Sequence, residues 1–358
     1  MTTSEPTAPR NGRRRSSDPT VHDVAERAGV SPMTVSRVLS GGKNVRIEVQ
    51  ERVEKAVAEL GYHRNENARS LRPGQRSGLV GVTITNIANP YYAEMLGGVE
   101  EVASEHSRRI LVGNSNEDAE LERQLVADFI GRRVEGLIVV PSGSGTADHL
   151  RPDRLGGVPI VLASRAAADV DADTVLIDDV NGARQATAAL LAEGHRRIAF
   201  LGNRLSVFTG QRRLDGFRLA HQARGLTPID ELVRLGQQDV SSAEIAMTEL
   251  LALPSPPTAV FSANNRNTIG AIRAIVNLQR RQLEQNPGTE PAASRLRLFG
   301  FDTFDFADMS PVQLSVVDHD ARELGRRAAQ MLFDRLENTS NSASPRVIEL
   351  PVTLRQMP

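Results

Sequence analysis

From Gly78 onward, short runs of aliphatic and β-branched residues alternate with longer segments of helical periodicity. The runs at 79–85 and 109–113, for example, flank a helical segment at 91–106. Such alternation is typical of parallel sheets with helices on both faces. It continues for about ten units, and a single sheet of that many strands would be very wide. We therefore predict an α/β body of two doubly wound lobes that share the chain.

The residues before this body are organised differently. We predict a flexible basic tail at 1–17, a compact all-α module at 18–64, a polar linker at 65–77 and the two-lobed body at 78–358. Up to Arg76 the chain has 14 Lys and Arg against 9 Asp and Glu, whereas the remainder has 29 against 35. This asymmetry favours a small module attracted to polyanions, with chance clustering as the alternative.

Two helix starts stand close together in the all-α module. Thr20 and Asp23 form a capping-box pattern before a short apolar stripe that ends at Gly29. Ser31 is a second N-cap, and Pro32 follows it at the first helical position. Two short helices joined by a glycine-containing turn predict a helix-turn-helix, whose second helix enters the major groove of DNA.

The second helix carries the side chains that we expect at the DNA. Arg37 has a planar fork suited to guanine or phosphate, Thr34 and Ser36 suit phosphate oxygens, and Met33 offers apolar contact. The predicted DNA contacts of this helix are Ser31, Pro32, Met33, Thr34, Ser36 and Arg37. Each residue taken alone is more typical of a solvated helix face than of a DNA contact, and only their combination with the basic module indicates DNA.

The stretch TVHDVAERAGVSPMTVSRVLS at 20–40 closely resembles the headpiece of the lactose repressor and galactose repressor (LacI/GalR) family of bacterial regulators. The resemblance continues through a third helix at 48–60, which would pack on the first two. One departure is Arg46, where the family usually has a Ser or Thr that caps this helix; Asn44 is the alternative cap. The resemblance implies a sequence-specific regulator, usually a repressor, that binds double-stranded DNA.

The linker segment 65–71 resembles the hinge helix of the same family. That likeness implies operator contacts by Asn65, Ala68 and Leu71, with Leu71 pressed into the minor groove beside its dimer mate. Seven residues are too few for a stable helix in water, so ordering on DNA is physically reasonable. A plain flexible linker is the alternative.

The body resembles the family's effector core, which is similar to periplasmic sugar-binding proteins. The matching motifs are GVTITNIANPYY at 81–92, RVEGLI at 133–138, GHRRIAFLG at 194–202, RLDGF at 213–217 and GFD at 300–302. The resemblance implies three chain crossings between the lobes, near Ile177, near 317–320 and near Arg346. It also implies a small-molecule effector in the cleft between the lobes, at the carboxyl ends of the strands.

Transferred one position at a time, the resemblance predicts effector contacts at Tyr91, Tyr92, Ser164, Thr209, Arg213, Asn264, Asp302 and His319. The pair Arg213 and Asp302 suits a sugar or related polyol, because each side chain can form two hydrogen bonds. A structural ion pair between the lobes is the alternative, as is a helix start packed on the core for the tyrosines. Ser164 replaces a frequent Asp, and Val140 and Gln238 replace polar and aromatic walls, so the ligand is unusual, weak or absent.

Other functional classes are disfavoured. The chain has no cysteine, its seven histidines lack ligand spacing and are expected on surfaces or loops, and no metal or cofactor is expected. Without nucleotide-binding or hydrolase motifs, an enzyme is not expected, and a secreted binding protein would have a signal peptide.

No apolar run is long enough to span a membrane, so we expect a cytoplasmic, nucleoid-associated protein. The missing leucine heptads favour a homodimer. A regulator of the same architecture that answers a protein partner, or no ligand, is the main alternative.

Overall fold

The computed structural model describes residues 19–39, 41, 45–62, 77–337 and 344–357, and the chain divides between Gln75 and Arg76 into two units. The first unit contains three helices, α1 (Val21–Ala28), α2 (Pro32–Val38) and α3 (Ile47–Leu60). Val24, Val35 and Val53, one from each helix, are completely buried against one another in its core.

Local capping fixes where the first two helices begin. The backbone N–H of Thr20 donates to Asp23 Oδ2 over 2.7 Å, and the backbone N–H of Asp23 donates back to Thr20 Oγ1, which completes the predicted capping box. Gly29 ends α1 in the left-handed conformation with φ of 63°, which turns the chain toward α2. Ser31 Oγ then accepts from the backbone N–H of Thr34 over 3.2 Å. The predicted helix-turn-helix is therefore present.

The third helix begins at Ile47, one residue before the predicted start, and lacks a side-chain cap. Its N-cap is Arg46, which forms no capping hydrogen bond through its side chain. Asn44, the alternative cap, lies outside the described residues. Gln50 instead donates from Nε2 to the carbonyl oxygen of Val45 over 3.0 Å.

The second unit contains seven helices and twelve strands within its described residues. The helices are α4 (Pro90–Glu105), α5 (Ala119–Gly131), α6 (Asp179–Ala192), α7 (Phe208–Gln222), α8 (Val240–Leu251), α9 (Asn265–Gln285) and α10 (Ala321–Glu337). The strands are β1 (Leu79–Ile84), β2 (Arg109–Asn114), β3 (Gly136–Val139), β4 (Ile160–Ala163), β5 (Asp173–Ile177), β6 (Ile198–Gly202), β7 (Val233–Leu235), β8 (Ala259–Ser262), β9 (Arg297–Phe301), β10 (Leu314–Asp318), β11 (Val347–Leu350) and β12 (Thr353–Gln356).

The strands form two sheets, as the two-lobe prediction requires. One sheet has the order β11-β5-β4-β3-β1-β2 and is parallel throughout. The other has the order β12-β10-β9-β8-β6-β7 and is parallel except for its edge strand β12. We call the sheets with their helices lobe 1 and lobe 2. The largest apolar cluster joins the inner layers of both lobes.

The chain passes between the lobes three times. Two passages lie where they were predicted, after Ile177 at the end of β5 and after Asp318 at the end of β10. The prediction for the third, near Arg346, was wrong. The chain stays in lobe 1 through Leu350 and crosses at Pro351, because a proline cannot donate to a continuing strand ladder.

The expectation that the histidines lie on surfaces or loops was wrong for two of them. His149 is buried in lobe 1, where its ring bonds to the buried Glu122 carboxylate over 2.9 Å. His221 is buried near the end of α7, with its ring against Phe217. No helix of the described residues is long and apolar enough to cross a bilayer, and they contain no cluster of three or more His, Cys, Asp or Glu that could hold a metal ion.

Helices α4 and α10 of lobe 1 touch backbone to backbone through two glycines. A Cβ atom at Gly325 would lie 2.0 Å from the carbonyl oxygen of Met95, and one at Gly98 would lie 2.0 Å from that of Arg322. Arg322 and Arg326 also bond to Glu101 across the same pair of helices. The two helices that cover one face of lobe 1 can therefore pack this closely only because both contact positions are glycine.

We expect Gly325→Ala to destabilise the protein by about 1–3 kcal/mol, because the added methyl overlaps backbone that cannot rotate away. The loss would outweigh the gain of about 1 kcal/mol in helix propensity. Gly131→Ala is the matched control, since Gly131 is also helical and has open space at its Cβ position. Urea unfolding measures both variants, and equal stability for the two would contradict this packing.

Candidate functional site

The carboxyl ends of the parallel strands of both lobes meet at one cleft. Its volume, counting the part open to solvent, is about 880 Å³. Seven of the eight predicted effector contacts line it: Tyr91, Tyr92, Ser164, Thr209, Arg213, Asn264 and Asp302. Of the two departures noted in the sequence, Gln238 lines the cleft, whereas Val140 is buried and does not.

Two tyrosines at the start of α4 form the lobe 1 wall. Asn89 caps the helix by accepting from the backbone N–H of Tyr91, which aims the following rings at the cleft. Tyr91 donates from its hydroxyl to Ser164 Oγ over 2.9 Å, and the Tyr92 hydroxyl bonds to Thr85 Oγ1 over 2.7 Å. Burial raises the pKa of both phenols. Both rings also belong to the apolar core, so the core-packing alternative describes part of their role.

A buried arginine, Arg165, supplies the positive charge on the lobe 1 side of the cleft. Arg165 donates to both carboxylate oxygens of Glu117, over 2.7 and 2.8 Å, and to the carbonyl oxygen of Pro141. Burial by itself would raise the pKa of Glu117, but the hydrogen bond and charge of Arg165 reverse this and the pKa is lowered. The pair is therefore ionised on both sides and neutral overall.

A second buried arginine organises lobe 2. Arg213 on α7 donates from Nε to Asp179 Oδ1 over 2.7 Å and from its terminal nitrogens to Asp302 over 3.1 and 3.2 Å. Its guanidinium carbon also lies 3.6 Å from the ring centre of Phe301. His319 Nε2 lies 2.9 Å from Asp302 Oδ1 and donates to it, because an ionised carboxylate can only accept.

The two carboxylates that share Arg213 differ in their protonation behaviour. Burial would raise the pKa of Asp302, but the charge of Arg213 and the hydrogen bond from His319 lower it to about 2. Burial dominates at Asp179, so its pKa is raised despite the charge of Arg213, and its Oδ2 atom has no hydrogen bond among the described residues. Arg213 and His319 therefore keep Asp302 ionised at neutral pH.

The geometry places this cluster within lobe 2 and His319 beside it. Arg213 and Asp302 were weighed as an ion pair between the lobes, but both belong to lobe 2, so their pairing holds one lobe together. His319 does not line the cleft; it supports Asp302 from outside, with its ring edge-on to Tyr91.

A hydrogen bond joins the lobes across the rim of the cleft. Asn265 Nδ2 in the first turn of α9 donates to Asn89 Oδ1 before α4, over 2.8 Å. Nearby, Gly143 of lobe 1 packs closely on Val207 of lobe 2. Any change in the angle between the lobes that opens this rim has to break the Asn89–Asn265 bond.

The sequence interpretation missed five charged residues at or beside the cleft. They are Glu117, Arg165, Asp179, Arg204 and Arg266. Each follows the carboxyl end of a parallel strand within four residues. That position is itself a signal, because ligands of such folds bind outside the carboxyl ends of the strands.

In the first unit, the predicted DNA contacts of α2 divide by exposure. Met33 is 68% exposed and Arg37 is exposed, on the face opposite the buried Val35 and Val38. Thr34 is half-buried and bonds through its hydroxyl to that of Ser31, over 2.9 Å. Pro32 and Ser36 are half-buried, and Ser31 is exposed. The predicted hinge contacts Asn65, Ala68 and Leu71 lie outside the described residues.

Comparison with known proteins matches both units. Residues 20–65 match the model of bacterial regulatory proteins of the lacI family, and residues 77–357 match the model of periplasmic binding proteins and the sugar-binding domain of the LacI family. The HTH-type transcriptional regulator GalS of Salmonella typhimurium is 32% identical, over 89% of this chain and 91% of its own. The relatives are transcriptional regulators and not enzymes.

Solved structures show the same architecture. The transcriptional regulator CelR in complex with cellobiose is 28% identical, with a TM-score of 0.66 over 95% of this chain and 99% of its own. A lac repressor dimer bound to operator and an anti-inducer is 24% identical, with a TM-score of 0.76 over 95% of this chain and 98% of its own. The second likeness concerns the fold alone.

We expect Arg213→Met to cost about 3–5 kcal/mol of stability at pH 7, because two buried carboxylates lose their cation. The sign of the pH dependence follows from Asp302. Its folded pKa of about 2 lies below the unfolded value of about 3.9, so it stabilises the wild type above pH 4 and this contribution is lost as the pH falls toward 2. Without Arg213 the pKa values of the Asp302 and Asp179 carboxyl groups rise. The difference in the free energy of unfolding between the variant and the wild type therefore becomes smaller as the pH falls from 7 to 4.

Denaturant unfolding at several pH values measures this difference. Arg218→Met, at an exposed position of the same helix, is the control and should show a small deficit that does not change with pH. A deficit of the Arg213 variant that is independent of pH would contradict the shared ion pair.

Proposed function

The chain belongs to the LacI family of bacterial regulatory proteins, and on that premise we propose that it represses transcription by binding a pseudo-palindromic DNA operator as a homodimer. A small molecule in the cleft between lobes 1 and 2 controls this binding. The observation that carries the proposal is the capped helix-turn-helix, whose second helix presents Met33 and Arg37 outward.

The exposed face of α2 supplies the chemistry for DNA. Arg37 forms a bidentate contact with O6 and N7 of a guanine, and Met33 packs on an apolar base edge such as a thymine methyl. Ser31, Thr34 and Ser36 contact phosphates, and Pro32 contributes apolar contact at the helix start. The hinge residues Asn65, Ala68 and Leu71 order on the operator, where Leu71 enters the minor groove and bends the duplex.

An exposed apolar turn in lobe 2 supports the homodimer. Phe306 and Met309 are 75% and 73% exposed on the same short turn, and Phe306 has a positive φ of 63°. Aromatic residues rarely hold this conformation, and exposed apolar patches mark interaction surfaces. We infer that this turn contacts a second copy of the chain. A two-fold dimer then requires a two-fold operator.

The effector acts by its different affinity for two arrangements of the lobes. Tyr91, Tyr92, Ser164 and Thr209 contact its body together with Asn264, while the Arg213–Asp302 pair exchanges some of its internal hydrogen bonds for bonds to the ligand. His319 holds Asp302 in place. Closure around the ligand preserves the Asn89–Asn265 bond, and opening breaks it. The binding of cellobiose by the similar regulator CelR supports a sugar-sized ligand here.

A regulator that answers a protein partner, or no ligand, remains the second candidate. The observation that favours it is the extent to which the cleft satisfies itself: Arg165 and Arg213 are both fully engaged by carboxylates and carbonyl oxygens. Measuring operator binding in the presence of a panel of metabolites separates the two candidates, because only a protein controlled by a small-molecule effector should change its affinity for the operator.

We expect Arg37→Ala to cost about 1–3 kcal/mol on the selected operator and to relax the choice of base at one position of each half-site. Quantitative binding to a library of operator variants measures both effects. Lys55→Ala, an exposed cation on α3, is the control and should weaken binding equally on all sequences or not at all. Base discrimination that survives in the Arg37 variant would contradict its role.

We expect Phe306→Asp to shift the protein from dimer to monomer, because a charge placed in an apolar interface is desolvated without a partner. Analytical ultracentrifugation of the full chain over a concentration series measures the shift. Leu219→Asp, at a half-exposed apolar position of α7, should leave the dimer intact. A Phe306 variant that sediments like the wild type would remove this turn from the interface.

A further inference from the structure

The cleft contains more positive charge than its own carboxylates neutralise. Two carboxylates line it, those of Glu117 and Asp302. The arginines that line it are Arg165, Arg204, Arg213 and Arg266. Glu117 pairs with Arg165, and Asp302 pairs with Arg213, which also contacts Asp179 outside the lining. Within the described residues neither Arg204 nor Arg266 forms a salt bridge within 4.0 Å, so the lining keeps two arginines without an ion-pair partner there.

Arg266 has an unmet hydrogen-bonding requirement as well as an unpaired charge. Its Nε atom is buried and has no hydrogen-bond partner within the described part of the chain. A buried donor left in this state costs about 1–3 kcal/mol. The charge of Arg266 interacts with the carboxylate of Asp239, which caps α8. Hydrogen bonds from the Ser242 backbone and side chain lower the pKa of Asp239 more than the charge of Arg266 does.

The topology places the two loops that carry Arg204 and Arg266 next to each other on lobe 2. Arg204 follows β6, and Arg266 is the second residue of α9, which follows β8; β6 and β8 are neighbouring parallel strands. Both loops therefore leave the sheet on the same side, at the carboxyl ends of its strands. The first turn of the 21-residue helix α9 adds the partial positive charge of a helix N-terminus to this place. Asn203 and Asn264, from the same two loops, also line the cleft.

We propose that the effector carries an anionic group, a phosphate or a carboxylate, that binds between Arg204 and Arg266. This inference rests on the proposed effector function and names its ligand class. The sugar-sized body of the ligand extends from this group toward Tyr91 and the Arg213–Asp302 pair. A planar guanidinium suits a phosphate or carboxylate, because it donates two parallel hydrogen bonds to adjacent oxygens.

A neutral sugar fits this end of the cleft less well. Hydroxyl groups satisfy a donor such as Arg266 Nε, but they leave the charge of the half-buried Arg266 uncompensated and make no use of the charge of the exposed Arg204. An anion satisfies the donor and the charge together. The surplus of arginines thus distinguishes the two ligand classes, although the tyrosines and the Arg213–Asp302 pair accept either.

Calorimetric titration of the full-length protein with matched compounds tests the ligand class. The pairs are ribose with ribose 5-phosphate, fructose with fructose 1-phosphate, and glucose with gluconate, and inorganic phosphate is compared with chloride at equal ionic strength by thermal unfolding. We expect phosphate to raise the unfolding midpoint, and at least one anionic compound to bind about tenfold or more tightly than its neutral parent. The phosphate and gluconate arms distinguish the two kinds of anion.

Two arginine variants test where the anion binds. Arg204→Gln and Arg266→Gln should each weaken binding of the anionic compound about tenfold and reduce the stabilisation of the protein by inorganic phosphate. Arg273→Gln is the matched control, because it lies on α9 with a 58% exposed side chain outside the cleft and should bind like the wild type.

Three results would overturn the inference: a neutral sugar that binds as tightly as its anionic partner, no stabilisation by phosphate beyond that by chloride, or equal anion binding by the Arg204 and Arg266 variants and the wild type. Operator selection is measured separately on the same protein. Selective operator binding without an anion response removes only this inference, whereas loss of operator selectivity removes the proposed function.

Discussion

Charge buried at the carboxyl ends of parallel strands is the constraint on which the second unit depends. Both sheets direct these ends toward one cleft, and polar residues follow almost every strand. A charge held there is stable only when paired, and Arg165 and Arg213 are both held by carboxylates and a main-chain carbonyl. These pairs fix the wall of each lobe before any ligand arrives. The cations that are not paired then define what the cleft attracts.

The features that the sequence predicted well depend on neighbours along the chain. The capping box at Thr20, the cap at Ser31 and the alternation of strands and helices all follow from residues a few positions apart. The pairing of Arg213 with Asp302 was predicted only through the family resemblance, and the structure adds Asp179 and His319 to it.

What the sequence did not predict depends on distances between remote segments. Glu117 meets Arg165 only when β2 and β4 lie in one sheet, and the unpaired state of Arg266 is visible only when every surrounding side chain is in place. The third passage between the lobes illustrates this limit. It lies at Pro351 and not near Arg346, because β11 still pairs with β5 of lobe 1 whereas β12 pairs with β10 of lobe 2.

We propose that the helix-turn-helix unit binds DNA under the control of a ligand between the lobes. The most direct measurement is genomic site selection by the full-length protein at moderate salt, repeated with sugar phosphates and sugar acids. We expect enrichment of an inverted repeat with two equivalent half-sites and a change in its occupancy of about tenfold with one of these compounds. No preference for any natural promoter over random duplex, with or without added metabolites, would contradict it.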